Sequence, residues 1–370
     1  MTRGELEYLL TDEARALIER HIGDDPLRMA LAGVPAAVCT QVKLLGRCRA
    51  KLPDYYDRRC IIPEVSFEQS SSQATALSRR YRGGMALDLT CGLGCDAYAL
   101  SRRFEHVTAV ERDPLLADIA RHNFALLGCD NVEVVCADSA EYIHTLTGHF
   151  DLIYIDPARR DLTRRMFLLQ ECSPDVTAMA PRIAEIADRV VVKASPLFDV
   201  EEPGRILGGY GRVDTETVSV DGECKEVVIE LTPGVDGEGA SRHVTVISHG
   251  KTERYDFSKE EIEAAKNIVF PEAADDCRYL SIPDAAFVAS RTVQALAARM
   301  EGVSLTSPTG VVLSGEPSQW RALRSYRITE ALPFKPKLLK KTLKERGIAG
   351  VTIIKRDFNM SVEECVKGSE

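Results

Sequence analysis

The spacing of apolar and polar positions changes along the chain, and the changes divide it into segments. Up to about residue 60, apolar residues recur at steps of three and four, as in "GELEYLLTDEARALIERH", which predicts helices separated by Pro and Gly. From about 61 to 235, short apolar runs alternate with helical stretches; the predicted strands are "MALDLT", "VTAVE", "VEVVCA", "LIYID" and "RVVVKAS". This alternation predicts an α/β fold with a doubly wound parallel sheet that binds ligands at the carboxyl ends of its strands.

The pattern changes again after the fifth predicted strand. "RVDTETVSV" and "CKEVVIEL", joined by Asp221-Gly222, predict an antiparallel hairpin that completes a seven-stranded sheet. Further on, "HVTVIS" and "AFVASRTVQALAARM" predict one strand and one helix. The last fifty residues predict strand, helix, strand and helix in "YRITEALPF", "KPKLLKKTLKER", "GVTIIKRDF" and "SVEECVKG". We therefore expect an N-terminal helical region at 1–60, the sheet domain at 61–238, a small domain at 239–318 and a small α+β domain at 319–370.

Charge is distributed unevenly between these segments. The net charge of −9 does not by itself suggest a nucleic-acid partner. Residues 321–370, however, hold 12 Lys and Arg against 6 Asp and Glu, whereas the other 320 residues hold 35 against 50. A basic tail on an acidic body can bind a polyanion, and a merely solvated basic face is the alternative. One predicted helix there carries four lysines mostly on one face, which suits an RNA backbone better than base reading: Lys337, Lys340, Lys341 and Lys344.

Several classes of protein are disfavoured by composition. No run of about 18 apolar residues suggests a membrane span. The N-terminal segment has acids from residue 5 and no apolar signal core, so we expect a cytoplasmic protein. The eleven cysteines are scattered without a CxxC pair, which supports neither a disulfide framework nor a zinc site, and we expect reduced, buried thiols and no metal. The sequence does not indicate an oligomeric state.

Acidic residues stand at the ends of three successive predicted strands. Asp88 precedes the loop that contains Gly92 and Gly94, Glu111 closes the second strand, and Asp138 follows the third. Glycines at a strand-to-helix turn let the backbone approach a ligand, and an acid at the end of the second strand is typical of sites that bind a ribose diol. For any one of these acids the alternative is a carboxylate that caps a helix.

The fourth strand ends in an acid, a proline and two cations, "LIYIDPARRD". Arg159 and Arg160 could clamp a phosphate. The alternative is a structural salt bridge between Arg159 and either Asp161 or Asp156.

These residues, in this order, resemble class I S-adenosylmethionine-dependent methyltransferases over about residues 61 to 235. The resemblance implies that "DLTCGLG" wraps the methionine half of the cofactor, with Thr90 where a first glycine is more usual. It also implies that Glu111 holds the ribose hydroxyls and that Asp138 faces the adenine. Upstream, "FEQSSS" resembles the segment that covers the cofactor in RNA methyltransferases. The implied cofactor-binding residues are Asp88, Thr90, Gly92, Gly94, Asp96, Glu111, Arg112, Asp138, Ser139, Gln69 and Ser70.

The end of the fourth strand is similar to the motif of amino-methyltransferases, which is Asp or Asn, Pro, Pro and an aromatic residue. In that motif the oxygens align a planar nitrogen with the sulfonium methyl, and alignment supplies most of the rate. Asp156 and Pro157 match the motif, while Ala158 replaces the second proline and Arg159 the aromatic residue. A guanidinium plane can also stack on a base. The resemblance implies that Asp156, Pro157 and Arg159 are catalytic.

"DPAR" also resembles the fourth strand of 5-methyluridine RNA methyltransferases, in which a cysteine thiolate after the fifth strand attacks the base. Here Ala194 stands at the cysteine position in "VVKASP". The departure disfavours that carbon route and favours nitrogen, or less readily oxygen, as the acceptor. Lys193 and Ser195 lie at the same strand end and could contact substrate; a Lys193 that extends along the site edge toward solvent is the alternative.

Over nearly the whole chain, "FEQSSSQATA", "IDPARRD", "VVVKASP" and "ALPFKPKLLKKTLK" resemble an uncharacterised bacterial group of methyltransferases. That group has a helical N-terminus, a small ferredoxin-like domain and a C-terminal THUMP-like domain, and THUMP-type modules deliver RNA to catalytic domains. We therefore expect an S-adenosylmethionine-dependent enzyme that methylates structured RNA, rRNA or tRNA, at a base nitrogen. The alternatives are methylation of a protein or small molecule, and a non-catalytic RNA-binding or assembly protein with a vestigial cofactor site. The expected substrate-binding residues are Arg160, Lys193, Ser195, Lys337, Lys340, Lys341 and Lys344.

Overall fold

A computed structural model gives the structure of the chain and describes residues 1–159, 169–237, 240–269 and 277–367. The chain forms two compact units. The first comprises Met1–Thr215 with Glu226–Glu238, and the second comprises Glu216–Lys225 with Gly239–Glu370. In the part of the chain that the structure describes, no helix is both long enough and apolar enough to cross a membrane.

The predicted helical start of the chain is confirmed. Local capping explains several of the helix starts: Thr2 and Glu5 form a capping box, Thr11 caps the second helix, and Asp25 caps the third just before Pro26. The helices are α1 (Arg3–Leu9), α2 (Asp12–His21), α3 (Pro26–Leu31), α4 (Ala36–Lys51), α5 (Pro53–Asp57), α6 (Glu64–Gln69) and α7 (Gln73–Ser78).

The first unit continues with alternating strands and helices, and each strand that the apolar runs predict is present. The elements are β1 (Gly83–Asp88), α8 (Cys95–Ser101), β2 (Phe104–Glu111), α9 (Pro114–Leu127), β3 (Val132–Cys136), α10 (Ser139–Tyr142), β4 (Leu152–Ile155), β5 (Ala158–Arg159), β6 (Cys172–Ser173), α11 (Val176–Glu185), β7 (Val190–Ala194), α12 (Glu202–Leu207), β8 (Gly211–Val220) and β9 (Glu223–Pro233). The predicted hairpin is also confirmed, since Asp221 and Gly222 link β8 to β9 with positive φ at both residues.

The sheet has nine strands rather than the expected seven, because the strands Arg242–Ser248 and Lys251–Phe257 continue it beyond β8. From β8 onward the strand order is β8-β9-β7-β4-β1-β2-β3. The run from β7 to β3 is parallel, and β9 is antiparallel to β7. From β1 the chain first moves outward through β2 and β3 and then starts again on the other side with β4. The order therefore reverses between β1 and β4, and a crevice at the carboxyl ends of these two strands is where α/β sheets bind ligands. The register pairs Asp88 with Tyr154, so the ends of the two strands are level.

The N-terminal helices share one apolar core with the sheet. Leu44, Leu45 and Tyr55 belong to the same buried cluster as Val107 and Phe124. A second cluster packs α11 against other side chains of the sheet, including those of β4 and β7. Burial of apolar surface drives this packing, so the helical start and the strands stabilise each other.

Two buried amides strengthen the junction between the helices and the sheet. Gln41 donates a hydrogen bond to the Ile62 carbonyl at 2.8 Å and accepts one from the Ile62 amide at 2.9 Å. Asn123 makes the same two kinds of hydrogen bond with Ile61. The backbone of this buried connection is thus satisfied by side chains from both α4 and α9.

The second unit is richer in elements than the sequence predicts. The single predicted helix breaks at Arg291, whose φ is 56°, and β11 is missed because its residues are mostly polar. The elements are β10 (Arg242–Ser248), β11 (Lys251–Phe257), α13 (Lys259–Lys266), β12 (Tyr279–Pro283), α14 (Ala285–Ala289), α15 (Val293–Ala298), β13 (Val303–Leu305), β14 (Val312–Ser314), β15 (Leu323–Arg327), α16 (Pro336–Glu345) and α17 (Val362–Lys367).

The small sheet of the second unit has the order β13-β14-β12-β15, and its strand pairs are antiparallel. It includes β15 and therefore runs across the position of the expected boundary between residues 318 and 319. The prediction of a strand in "GVTIIKRDF" is wrong, because residues 350–358 contain no strand. No neighbouring strand in the described chain pairs with this segment, and Val351 and Ile354 stay about half exposed, at 51% and 50%. An apolar run without a partner cannot form a sheet.

Candidate functional site

Asp88 lies at the end of β1 with its carboxylate buried. Its Oδ1 accepts hydrogen bonds from the Thr90 amide at 2.9 Å and the Thr90 hydroxyl at 3.3 Å. Its Oδ2 is buried and has no hydrogen-bond partner among the described residues. Burial raises the pKa of Asp88 to about 8, and the hydrogen bonds from Thr90 oppose that rise. The open oxygen can accept a hydrogen bond from a ligand.

The two glycines of the following loop are needed for different reasons. Both have positive φ, 54° at Gly92 and 87° at Gly94. A Cβ at Gly94 would come within 2.6 Å of the Phe124 ring, so this glycine permits close packing against α9. A Cβ at Gly92 would meet no atom within 4 Å, so the loop is open on that side. Gly92 therefore borders space that a ligand can occupy.

The ends of β2 and β3 meet the same loop. Glu111 accepts hydrogen bonds from the amides of Gly92 at 2.8 Å and Asp113 at 2.9 Å, one on each carboxylate oxygen. Asp138 caps α10, and its Oδ1 accepts a hydrogen bond from the Ala140 amide at 2.8 Å. One of its two carboxylate oxygens therefore has the alternative role of a helix cap. The Ser139 hydroxyl donates to the Leu89 carbonyl. These contacts bring three strand ends into one edge of the sheet.

Asp156 follows β4 and is bonded to both sides of the crevice. Its amide donates to the Thr90 hydroxyl at 2.6 Å, and its Oδ2 accepts from the Lys193 ammonium at 2.7 Å. Lys193 also donates to the Ser71 hydroxyl at 3.0 Å and is only 15% exposed, so it does not extend into solvent. Burial raises the pKa of Asp156, and Lys193 opposes that rise. Although burial opposes it, Asp156 and Asp96 hold the pKa of Lys193 above its ordinary value.

A buried arginine organises the charges behind this pair. Arg79 is 6% exposed, pairs with Asp96, and donates from Nη2 to Glu226 at 2.9 Å. Its guanidinium lies 5.0 Å from the centre of the Tyr154 ring. The remaining oxygen of Asp96 accepts from the Ser71 hydroxyl at 2.8 Å. Asp96, expected to contact the cofactor, is thus held on both oxygens by protein groups.

Sequence reasoning missed Arg79 and Glu226 as members of the site, and it placed Ser71 only in the segment expected to cover the cofactor. Arg79 lies in "SRRYR", where the sequence does not distinguish the buried arginine from its exposed neighbours. Glu226 is the acid at the start of the apolar run of β9, and the sequence pattern there gives the strand no obvious solvent-exposed face. Such an acid inside a strand pattern is the one signal that could have found this cluster.

The segment before β1 is held in place by α4. Lys51 donates to the backbone carbonyls of Phe67 at 2.5 Å and Glu68 at 3.3 Å, and it lies 4.8 Å from the centre of the Phe67 ring. Ser70 donates to the Phe67 carbonyl at 3.0 Å, whereas Gln69 is exposed. The helical start of the chain thereby fixes the segment that carries Gln69 and Ser70.

The remaining predicted site residues lie in several places. Pro157 leads into β5, which pairs with β6, and the exposed Arg112 donates to Ser173 of β6 at 3.3 Å. The Arg159 side chain and Arg160 lie outside the described residues. Ser195 accepts from the Leu197 amide at 3.3 Å. The four lysines on α16 belong to the second unit and are exposed: Lys337, Lys340, Lys341 and Lys344.

The thiols and carboxylates of the described residues form no recognisable metal centre. Most of the eleven cysteines are buried. Within the described ranges, no group of three or more His, Cys, Asp or Glu side chains is placed to hold a metal ion.

Replacing Asp88 by Asn is expected to remove a pH-dependent cost to folding. The folded-state pKa of about 8 exceeds the unfolded value, so this group's contribution is most favourable below about pH 4 and falls as pH rises toward 8. Relative to wild type, Asp88→Asn should gain up to about 5 kcal/mol of stability between pH 4 and pH 8. Urea unfolding at several pH values measures this difference, with Asp138→Asn as the control at an exposed cap. If the free energies of unfolding of wild type and Asp88→Asn depend on pH in the same way, the raised pKa of Asp88 is refuted.

The chain has clear similarity to known proteins. Residues 72–171 match a family model described as "Conserved hypothetical protein 95", and residues 323–367 match one described as "THUMP domain-like". An uncharacterized S-adenosylmethionine-dependent methyltransferase of Mycobacterium tuberculosis H37Rv is 28% identical over 302 residues, covering 78% of this chain and 76% of the relative. A tRNA/tmRNA (uracil-C(5))-methyltransferase of Sodalis glossinidius is 25% identical over 246 residues, covering 53% and 66%. The solved structure of a Porphyromonas gingivalis W83 protein assigned as a methyltransferase has a TM-score of 0.82 and 27% identity, covering 96% of this chain and 91% of that chain.

The fold, the strand-end acids and these relatives define a class I S-adenosylmethionine-dependent methyltransferase. Within that class, the chain resembles the group whose members carry a THUMP-like domain, because residues 323–367 match the model of such a domain.

Proposed function

We propose that this methyltransferase transfers the methyl group of S-adenosylmethionine to a base nitrogen in structured RNA. The main observation in support is the 2.6 Å hydrogen bond that the Asp156 amide donates to the Thr90 hydroxyl. It joins the acceptor motif of the fourth strand directly to the loop expected to hold the cofactor. A nitrogen bound at Asp156 would therefore lie beside the methyl donor, which is the alignment the reaction requires.

The residues at the three strand ends fit the cofactor. The buried, unpartnered Oδ2 of Asp88 suits a cationic group of the methionine half, and the open side of Gly92 leaves room for the ligand. Each Glu111 oxygen accepts one amide hydrogen and keeps a lone pair for a ribose hydroxyl. Asp138 is exposed and would face the adenine. Bound S-adenosylmethionine supplies an electrophilic methyl group on a sulfonium, so the protein needs little acid strength of its own.

Two observations favour nitrogen over a covalent route to carbon. Ala194 ends β7 at the position where a cysteine nucleophile is expected for that route. The nearby thiols are also unsuited to attack, because burial raises the pKa of Cys91 far above its ordinary value and that of Cys95 to about 12. A nucleophilic cysteine needs the opposite shift. Asp156 instead offers to a base N–H its Oδ1, which has no hydrogen-bond partner among the described residues, while Pro157 holds the following backbone rigid.

The second unit supplies the reason to propose RNA. The THUMP-like match covers α16, and all four lysines of its polar face are exposed. The Sodalis relative is a tRNA/tmRNA methyltransferase by name. A cluster of exposed cations suits phosphate contacts, which provide affinity without reading sequence.

The proposal is tested by transfer of radiolabelled methyl from S-adenosylmethionine to total RNA and protein of a strain that lacks this gene. Parallel samples are digested with ribonuclease and with protease. Label lost only with ribonuclease supports the proposal and allows the methylated atom to be identified. Label lost only with protease identifies a protein substrate instead. Cofactor binding without label in either fraction indicates a small-molecule substrate, and no cofactor binding indicates a non-catalytic RNA-binding or assembly protein.

Replacement of the four α16 lysines by Gln is expected to weaken RNA binding and flatten its salt dependence. Losing up to four phosphate contacts should reduce the slope of log K against log salt by about 3. Filter binding at salt concentrations from about 50 to about 300 mM, a range that includes physiological ionic strength, measures the slope. The matched control changes four other exposed lysines to Gln: Lys225, Lys251, Lys259 and Lys266. An equal effect of both quadruple variants would show that only net charge matters and that α16 is not the RNA-binding face.

A further inference from the structure

A continuous series of polar contacts connects Arg79 to the acceptor motif. Arg79 pairs with Asp96, Asp96 accepts from the Ser71 hydroxyl at 2.8 Å, and that hydroxyl accepts from Lys193 at 3.0 Å. Lys193 then donates to Asp156 Oδ2 at 2.7 Å. The series has a direction, because the only Ser71 hydroxyl hydrogen is committed to Asp96. The Ser71 oxygen must therefore accept from Lys193.

Among the described residues, the charges of this largely buried cluster do not balance. Its two cations, Arg79 and Lys193, face three carboxylates, those of Asp96, Asp156 and Glu226. Asp88 is a fourth carboxyl group near Asp156. A buried carboxylate among like charges tends to take up a proton unless a cation is held against it.

Protonation would reverse the hydrogen-bonding role of Asp156. An ionised carboxylate only accepts hydrogen bonds, whereas a protonated carboxyl group also donates one. A base N–H is itself a donor and needs an acceptor. The group that keeps Asp156 ionised therefore decides whether the substrate nitrogen can bind in the productive orientation.

We propose that Lys193 is a positioning residue that, held by Ser71, fixes Asp156 as an ionised hydrogen-bond acceptor for the substrate nitrogen. This inference rests on the proposed function and assigns Lys193 a role through Asp156 rather than a contact with the base. In the methyl transfer, the nitrogen lone pair would form the new nitrogen–carbon bond as the carbon–sulfur bond breaks, and the electron pair of that bond would stay on the sulfur of the leaving S-adenosylhomocysteine. The acceptor nitrogen then releases a proton, which the Asp156 carboxylate takes up and passes to water.

The first test is the pH profile of methyl transfer by Lys193→Met and Lys193→Arg. Lys193→Met should lose tenfold or more in kcat at pH 7 and recover toward pH 9, because Asp156 then ionises only at higher pH. The charged groups that face Asp156 from the neighbouring elements, Asp88, Asp96, Arg79 and Glu226, are unchanged in both variants. Lys193→Arg should restore most of the activity at pH 7. A loss that is equal at all pH values, or no rescue by arginine, would overturn the inference.

The second test needs no substrate. Removal of Lys193 should lower the urea midpoint of unfolding more at pH 8 than at pH 5, since the unpaired Asp156 carboxylate is costly only when it ionises. The double variant with Lys193→Met and Asp156→Asn should lose this pH dependence. Lys43→Met, which removes an exposed lysine 3.5 Å from Glu64, is the control and should show no such dependence.

The two tests separate the inference from the proposed function. A wild-type protein that methylates no RNA contradicts the proposed function but leaves the unfolding comparison intact. Equal destabilisation by Lys193→Met at pH 5 and pH 8 contradicts the Lys193 assignment even if the wild type methylates RNA.

Discussion

Asp156→Ala is expected to reduce methyl transfer by at least about a hundredfold while S-adenosylmethionine still binds within a few fold of wild type. The proposed role of Asp156 is to align the acceptor nitrogen, so its loss affects the reacting geometry rather than the cofactor contacts at the ends of β1 and β2. Steady-state kinetics and isothermal titration, measured on the same preparations, give the two quantities.

Two further variants show what the Asp156 result means. Asp156→Asn keeps the shape and the backbone bond to Thr90 but removes the charge, so it separates alignment from ionisation. Asp188→Ala removes an exposed carboxylate just before β7, at the opposite end of the strand, and should leave activity unchanged. If Asp156→Ala abolishes cofactor binding, Asp156 belongs to the cofactor site and the acceptor assignment fails.

Arg79→Met is expected to destabilise the first unit by about 3–5 kcal/mol, the usual effect of removing one partner from a buried ion pair. The methionine would fill much of the space but leave Asp96 and Glu226 buried without their shared cation. Their mutual repulsion and the cost of their burial then act against the folded state. Urea unfolding measures the change in the free energy of unfolding.

The adjacent arginine provides the control for this prediction. Arg80 is exposed, and Arg80→Met should change stability by no more than about 0.5 kcal/mol. Similar losses for the two variants would mean that the buried charges contribute little. A partial recovery in the double variant with Arg79→Met and Glu226→Gln would instead confirm that the cost comes from the orphaned carboxylates.

The sequence was sufficient to predict the parallel sheet and which residues lie at the ends of its strands. Strands buried on both faces are nearly continuous apolar runs, and Asp88, Glu111 and Asp156 interrupt or follow such runs where ligand-binding acids are common. Their order along the chain is therefore enough to place them on one edge of the sheet.

What the sequence could not reveal depends on contacts between distant segments. Arg79 and Arg80 are chemically identical neighbours, and only the fold determines that the first is buried against Glu226, 147 residues away. The partner of Lys193 was likewise undetermined, because a strand-end lysine can extend into solvent or turn inward. The strand near Val351 was predicted wrongly for the same reason, because an apolar run becomes a strand only when the edge of a sheet is available to pair with it.

The core shared by the N-terminal helices and the sheet has a consequence for synthesis of the protein. The helices leave the ribosome before the sheet, but their apolar faces pack against α8 and α9, and α9 ends only at Leu127. Until that point the nascent helices lack the surface that buries them, and partly folded chains with exposed apolar faces are prone to aggregate. The early segment of this enzyme should therefore be a client for chaperones that act on growing chains.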